Sequence, residues 1–310
     1  MASRFTSVAV LAACAALAVA GCGGGSGKPR PDLIFVSTRS GVYDIYAMNA
    51  DGSRQQRLTN GSSGNASAPQ GLDYEQDPAW SRDGRSIAFA SARNGSLQIF
   101  VMDADGKNVR DLTVGTSEDS HPTWSPDGRR IAFVRGKTGA IFVMGADGRN
   151  PHRITHGTAA ESDPAWSPDG RWIAFVRVTL NTPTRELWLV HPDGSGAHEI
   201  TALGASVGGP AWSPDSTRLA FSSDARGGTF AIYSIGVSGI GLRLISGASV
   251  DAFSPAWSPD GKMIAFDRNG AIVIATVGGS EKVVTNGKDN DSSPVWNPVR
   301  APVKSKAKGY

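Results

Sequence analysis

Cysteine is almost missing from this chain of 310 residues, which has only Cys14 and Cys22. That excludes a disulfide framework and a thiolate zinc site. Histidine is scarce too: His121, His152, His156, His191 and His198. None has zinc-ligand spacing. His152 and His156 would share a helix face, but Arg153-Ile-Thr155 between them reads as a strand. Charge of one sign is not in surplus. The formal net charge is +3, too little for a nucleic-acid footprint, so no nucleic-acid partner is expected. No apolar run is long enough to span a bilayer: residues 8–20 fall short of the roughly 20 residues a helix needs. What the chain has in quantity is glycine, 38 residues, with 18 prolines. Such a composition suits a chain of many tight turns.

The N-terminal segment reads as an address. Arg4 supplies a positive start, and the short apolar run follows, as in a secretory signal. The run ends in Val19-Ala-Gly-Cys22, which resembles the bacterial lipobox. That resemblance implies cleavage before Cys22 and a diacylglyceryl group on its sulfur. The alternative is an ordinary signal cut after a small residue, with Cys22 incidental. Cys14 would leave with the signal, so the mature chain would begin at its single cysteine. Two acyl chains anchor stably where one is marginal. The expected organisation is a signal peptide over 1–21 and a Gly/Ser-rich tether over 22–31. A folded domain over 32–298 and a basic, disordered tail over 299–310 follow.

The folded domain is written in one recurring phrase. It appears as Asp77-Pro-Ala-Trp-Ser-Arg-Asp-Gly-Arg-Ser-Ile-Ala-Phe89 and returns around Trp124, Trp166, Trp212 and Trp257. A last copy begins at Pro294-Val-Trp296 and stops. Successive tryptophans lie 44, 42, 46, 45 and 39 residues apart. A period in the low forties with several short strands per unit is the signature of a β-propeller. Each unit reads as four strands: Pro-x-Trp-Ser, Ile-Ala-Phe, a longer apolar strand such as Ile99-Phe-Val-Met102, and a short polar one such as Arg153-Ile-Thr155. Ser-Pro-Asp-Gly between the first two is turn chemistry. The ends complement each other. Residues 33–59 match strands two to four of a unit, and Pro294-Val-Trp296 is a lone first strand. Joining them predicts an all-β, six-bladed β-propeller closed by N-terminal strands pairing with a C-terminal strand. The tryptophans are expected in the core rather than in a ligand-stacking ring.

The phrase Pro-x-Trp-Ser-Pro-Asp-Gly-x-x-Ile-Ala-Phe, followed by Asp-Gly and Leu-Thr, resembles the WD40-like repeat of the TolB propeller family. The resemblance spans residues 32–298. It implies an extracytoplasmic, periplasmic or cell-surface propeller that binds proteins through its loops and central channel. TolB proper carries a separate α/β domain ahead of its propeller and is soluble, whereas here a lipidated tether precedes residue 32. A Tol–Pal role is therefore not implied directly. The same repeat occurs in propellers of serine peptidases and polysaccharide lyases, and fold alone does not choose among them.

Candidate chemistry is sparse. Gly204-Ala-Ser-Val-Gly208 matches a nucleophile elbow in letters only, since such an elbow needs a strand before and a helix after. Asp-x-Asp-Gly fragments resemble the start of a calcium loop but lack its distal glutamate. No catalytic residue and no metal ligand is assigned. The loops entering the first strands carry Glu75, Asp77, Glu118, Asp119, Glu161, Asp163, Asp251, Asp289 and Asp291. In a propeller these would ring one mouth of the channel and attract a basic peptide or a cation such as calcium. The alternative is solubility and turn formation. The long connection over residues 60–76 is a second candidate for recognition. The expected function is that of a monomeric, membrane-anchored protein- or peptide-binding scaffold without a cofactor. The rival is a propeller enzyme, such as a lyase or hydrolase acting on envelope polymers.

Overall fold

The computed structural model describes residues 30–60, 75–136, 139–178, 184–246 and 249–299. The expected signal peptide, Cys22, most of the tether and residues 300–310 of the tail lie outside them. So does most of the 60–76 connection. Among the described residues every regular element is a strand.

The chain opens with β1 (Leu33–Ser37), β2 (Asp44–Met48) and β3 (Gln56–Arg57). Then come β4 (Glu75–Trp80), β5 (Ser86–Ser91), β6 (Gln98–Asp103) and β7 (Arg110–Asp111). The third set is β8 (Asp119–Trp124), β9 (Arg130–Arg135), β10 (Ala140–Gly145) and β11 (His152–Arg153). The fourth is β12 (Glu161–Trp166), β13 (Ile173–Val178), β14 (Arg185–Val190) and β15 (His198–Glu199). The fifth is β16 (Val207–Trp212), β17 (Arg218–Ser223), β18 (Ala231–Gly236) and β19 (Arg243–Leu244). The last is β20 (Ala252–Trp257), β21 (Met263–Arg268), β22 (Ala271–Thr276) and β23 (Glu281–Val283), followed by β24 (Ser292–Trp296). Five sheets are sequential, and the sixth has the order β24-β1-β2-β3. Trp296 lies opposite Leu33, and Val295 opposite Ile34. The terminal strands thus close the ring as the repeat count predicted. We number this composite sheet blade 1 and the others 2 to 6 in chain order. The innermost strands β4, β8, β12, β16, β20 and β24 contact one another in a closed cycle.

Packing between blades follows from the Ile-Ala-Phe strand. Isoleucine and phenylalanine point to one face and alanine to the other. Ala132, Val134 and Ile141 of blade 3 pack against Trp166, Ile173 and Phe175 of blade 4. The same large-on-small contact closes the ring, where Ala265 and Ile272 of blade 6 meet Phe35, Leu33 and Trp296 of blade 1. Phe35, Phe89, Phe133, Phe175, Phe221 and Phe266 are all fully buried. Burying each contributes about 1.5–3 kcal/mol.

The outermost strands are tied by the threonine that follows them in the repeat. The Thr155 hydroxyl accepts the Ile141 N–H at 3.0 Å, and Thr113 does the same for Ile99 at 2.9 Å. The turns repeat as well. Ser167 Oγ donates to Asp169 at 2.7 Å while the Gly170 N–H donates to the Ser167 carbonyl at 2.9 Å. In the outer hairpins the glycine is required twice over. Gly194 has φ 86°, and a Cβ there would lie 2.6 Å from the Ile154 carbonyl oxygen of the preceding blade.

Candidate functional site: the throat of the channel

The innermost strands share one irregularity. Pairing with the second strand slips between Gln76 and Ala79, Ser120 and Thr123, Ser162 and Ala165, Gly208 and Ala211, and Phe253 and Ala256. At each slip one residue adopts left-handed backbone: Asp77 (53°), His121 (51°), Asp163 (52°), Gly209 (57°) and Ser254 (52°). Ser293 (50°) completes the set where β24 slips against β1. A bulge of this kind bends the strand and re-aims a side chain. Each of these residues stands just before the proline of the repeat. Repeated six times, the bulge sets a ring of six positions around the axis, five with side chains and one, Gly209, without.

Three consecutive members touch. His121 Nε2 lies 3.2 Å from Asp163 Oδ1, and Nδ1 lies 3.5 Å from Asp77 Oδ2. The His121 backbone N–H donates to Asp77 Oδ2 at 3.3 Å, and Nδ1 also meets Ser120 Oγ at 2.9 Å. Ser162 Oγ donates to the other oxygen of Asp163 at 2.8 Å. The trio is surrounded by protein but keeps partial contact with solvent. Side-chain exposure is 20% for Asp77, 34% for His121 and 26% for Asp163. Burial raises the Asp77 pKa above the usual carboxylate value, with Asp163 reinforcing the rise and His121 opposing it. For His121, burial alone would lower the pKa, but the two aspartates together outweigh it and hold it above the ordinary value.

A fourth ionisable group stands on the remaining arc. Asp267, on β21, accepts the Ser293 N–H at 3.2 Å, and burial raises its pKa against a hydrogen bond from Ser254. Its register partner is Phe253, which is 37% exposed and packs on Phe230 with ring centroids 5.0 Å apart.

The structure narrows the nine acidic residues singled out in the sequence. Glu75, Asp119, Glu161 and Asp291 are buried, and an arginine of the same blade neutralises each. Arg135 holds Asp119 through two bonds of 2.8 Å. Arg177 holds Glu161 at 2.6 and 3.0 Å, Arg39 holds Asp291 at 2.7 and 2.9 Å, and Arg93 pairs with Glu75. Each guanidinium also lies over aromatic rings, as Arg177 does over Trp188 at 4.2 Å. Burial still outweighs Arg93 at Glu75, whose pKa is raised. These four carboxylates hold the blades rather than face the channel. Glu118 is exposed. Asp251 accepts the Phe230 N–H at 2.7 Å, and the Asp289 carbonyl accepts from Thr38. Of the nine, Asp77 and Asp163 meet at the throat.

Reading the sequence for motifs passed over His121 and Asp267. Both were visible in the repeat. His121 occupies the column of Asp77 and Asp163. Asp267 is the one acid in a column otherwise filled by Val36, Ala90, Val134, Val176 and Ser222.

The other mouth is lined by the tryptophans. A depression of about 200 Å³ lies among Trp80, Trp124, Trp166, Trp296, their neighbouring prolines and Arg82. This is smaller than the roughly 300 Å³ at which ligand pockets begin. Trp80, Trp166, Trp212 and Trp296 are 4–8% exposed, so most of their surface is core. Ser206 of the Gly-x-Ser-x-Gly match lies in the loop before β16, its N–H donated to Asp224 at 2.8 Å. Asp103 and Asp105 of an Asp-x-Asp-Gly fragment serve their own hairpin, bonding Asn108 at 2.6 Å and Lys107 at 2.8 Å. Among the described residues no three His, Cys, Asp or Glu side chains converge as a metal site. The two nitrogens of His121 face different carboxylates rather than one common point.

A closed six-bladed ring with repeated Trp corners and a bulged inner rim defines a channel-bearing propeller. The TolB β-propeller domain family matches residues 70–182 and 164–303, and the chain belongs to that family. An uncharacterized protein of Agrobacterium fabrum is 38% identical over 79 residues, covering 26% of this chain and 24% of that protein. The Tol-Pal system protein TolB of Desulfosudis oleivorans is 38% identical over 69 residues, 22% of this chain and 14% of that one. The chain thus spans a quarter or less of these curated relatives. Among solved structures, TolB from Acinetobacter baumannii superposes with a TM-score of 0.73 at 17% identity, covering 86% of this chain and 66% of TolB. An oligogalacturonate lyase in complex with manganese superposes at 0.56 with 15% identity, covering 82% of this chain and 73% of the lyase. At these identities the structural likeness concerns the fold.

Proposed function

We propose that this protein is an extracytoplasmic, lipid-anchored scaffold that binds a protein or peptide over the face where the innermost strands begin. A basic segment of the partner would reach the throat. One observation carries this reading. The buried acids Glu75, Asp119, Glu161 and Asp291 each have an arginine, whereas Asp77 and Asp163 share a single imidazole. With both aspartates ionised, the throat keeps net negative charge at either protonation state of His121. Low-dielectric walls around such a cleft focus its field on cations. Phe253 and Phe230 beside it offer an apolar seat. Membership of the TolB propeller family and the likeness to TolB support a protein-facing role. The anchor rests on the lipobox-like Val19-Ala-Gly-Cys22 alone.

The test is affinity capture of partners from the envelope fraction by the full chain. Binding of the recovered partner is then measured at low and high salt. Asp77→Asn with Asp163→Asn should weaken binding and flatten its salt dependence. Affinity unchanged in that double variant would dispose of the throat as the contact.

A further inference from the structure

We propose that His121 is a proton-operated counter-cation in the throat: protonated, it bridges Asp77 and Asp163 and withholds them from a cationic ligand, and deprotonated, it releases them. This rests on the reading that the throat receives a cationic segment.

Each ring nitrogen faces a carboxylate. Nε2 faces Asp163 at 3.2 Å and Nδ1 faces Asp77 at 3.5 Å. Only the imidazolium is a donor at both positions, while the neutral ring keeps one N–H and presents a lone pair at the other. Loss of the proton therefore removes the cation from between the two carboxylates and leaves Nδ1 to the Ser120 hydroxyl, 2.9 Å away. It also raises the charge of the trio from −1 to −2 if both aspartates are ionised. The bridge is held in place from behind. The bulge fixes the backbone of all three residues, and the His121 N–H is itself tied to Asp77.

The charged groups on the surrounding strands leave the imidazole to these two partners. On its own strand Asp119 is engaged by Arg135 of β9. Arg130 of β9 lies over the Trp166 ring at 4.8 Å. On β21, Asp267 accepts the Ser293 N–H. Asp77 on β4 and Asp163 on β12 are the charged groups that act on His121, and their pull against burial raises its pKa from the ordinary histidine value. A ligand cation arriving at the throat competes with the imidazolium for the same carboxylates. Ligand and proton therefore oppose each other, and by linkage each weakens the other equally.

The experiment uses the full chain and a short oligolysine as probe, with calorimetry from about pH 6 to about pH 9, where lysine stays charged and histidine titrates. Wild-type affinity should rise across that span by about five- to hundredfold, the usual range of coupling between two sites. His121→Ser should show a flat profile at or above the wild-type value at high pH. Serine already occupies the same left-handed position at Ser254 and Ser293, so blade 3 should accept it. A pH profile that survives His121→Ser overturns the switch. If oligolysine binds at no pH, the cationic-ligand reading falls instead. The bridge is then judged by NMR titration of the His121 ring in the free protein. Its midpoint should drop in Asp77→Asn with Asp163→Asn, and a midpoint that does not move refutes the bridge.

Discussion

Removing Arg135 should unbalance blade 3 in a way that a second substitution repairs. Asp119 and Arg135 are register partners on β8 and β9, and the two bonds between them are 2.8 Å long. The carboxylate side chain is 1% exposed and the guanidinium 25%. Arg135→Ser leaves the acid buried without its cation. Breaking a buried pair from one side costs about 3–5 kcal/mol. Guanidinium contacts with Phe133 and Phe142, at 5.0 and 5.2 Å, are lost as well, adding roughly 0.5–1 kcal/mol at a partly exposed site. Blade 5 shows that the pair itself is dispensable. There the same register positions are Val207 and Ser223, both buried. Asp119→Val with Arg135→Ser copies that blade and removes the stranded charge, so most of the loss should return. Urea unfolding of the wild type, the single and the double variant measures this, with equal slopes taken as evidence of equal exposed surface. A single variant within about 1 kcal/mol of wild type would refute the reasoning, since that is the scale of a surface pair rather than a buried one. A double variant no better than the single would refute it too.

Two further outcomes follow from the same contacts. Thr155→Val takes an acceptor from the Ile141 N–H and a donor from the buried Glu161 carboxylate. A hydrogen bond to a charged group is worth about 1.5–3 kcal/mol, so the midpoint of unfolding should fall accordingly, and an unchanged midpoint would mean that the repeat threonine does not fasten the blade edge. Asp267 has a raised pKa, so the folded state binds its proton more tightly than the unfolded state. Its ionisation therefore costs stability as pH rises from the ordinary aspartate value through the raised one. Asp267→Asn should gain on the wild type over that window and above it. A pH-independent difference between the two proteins would contradict this assignment.

The architecture was legible because the repeat carries its own alignment. Two incomplete ends, residues 33–59 and Pro294-Val-Trp296, could be added to make one unit, and the pairing of Trp296 with Leu33 is what that addition requires. Blade packing was legible in Ile-Ala-Phe, because face alternation has a period of two. The site was only half legible. A count of acids before each first strand treats Asp119 and Asp163 alike. Which of them meets water depends on a slip in strand pairing and on whether an arginine stands at the end of the neighbouring strand. Arg39 and Arg93 stand four residues after their phenylalanines, and Arg135 and Arg177 two residues after theirs, so the pairing has no single linear signature. Scarcity of histidine pointed away from His121, although its column in the repeat pointed towards it.

The bulge column also shows how a symmetric fold acquires a one-sided site. Left-handed backbone favours Gly, and Asp, Asn and His above other residues. That preference alone could place Asp77, His121, Asp163 and Gly209 where they are. It does not account for Ser254 and Ser293, which adopt the same backbone with φ 52° and 50°. The position therefore accepts residues without special left-handed preference, and side-chain identity there is free to vary around the ring. Nor does backbone preference require an imidazole to fall between two carboxylates. The charged members occupy three consecutive blades, 2 to 4, and the small ones occupy blades 5, 6 and 1. Such a ring is polar on one arc and roomy on the other, with Asp267 and the Phe230–Phe253 pair behind the roomy arc. A cationic side chain entering along the axis would find space beside Gly209 and Ser254 and opposite charge across from it. Filling that space should then block entry without touching any carboxylate. Gly209→Asn, tolerated by left-handed backbone, should lower oligolysine affinity while leaving the His121 titration in place. If affinity holds, the ligand does not use the small-residue arc, and the throat is read from the wrong side.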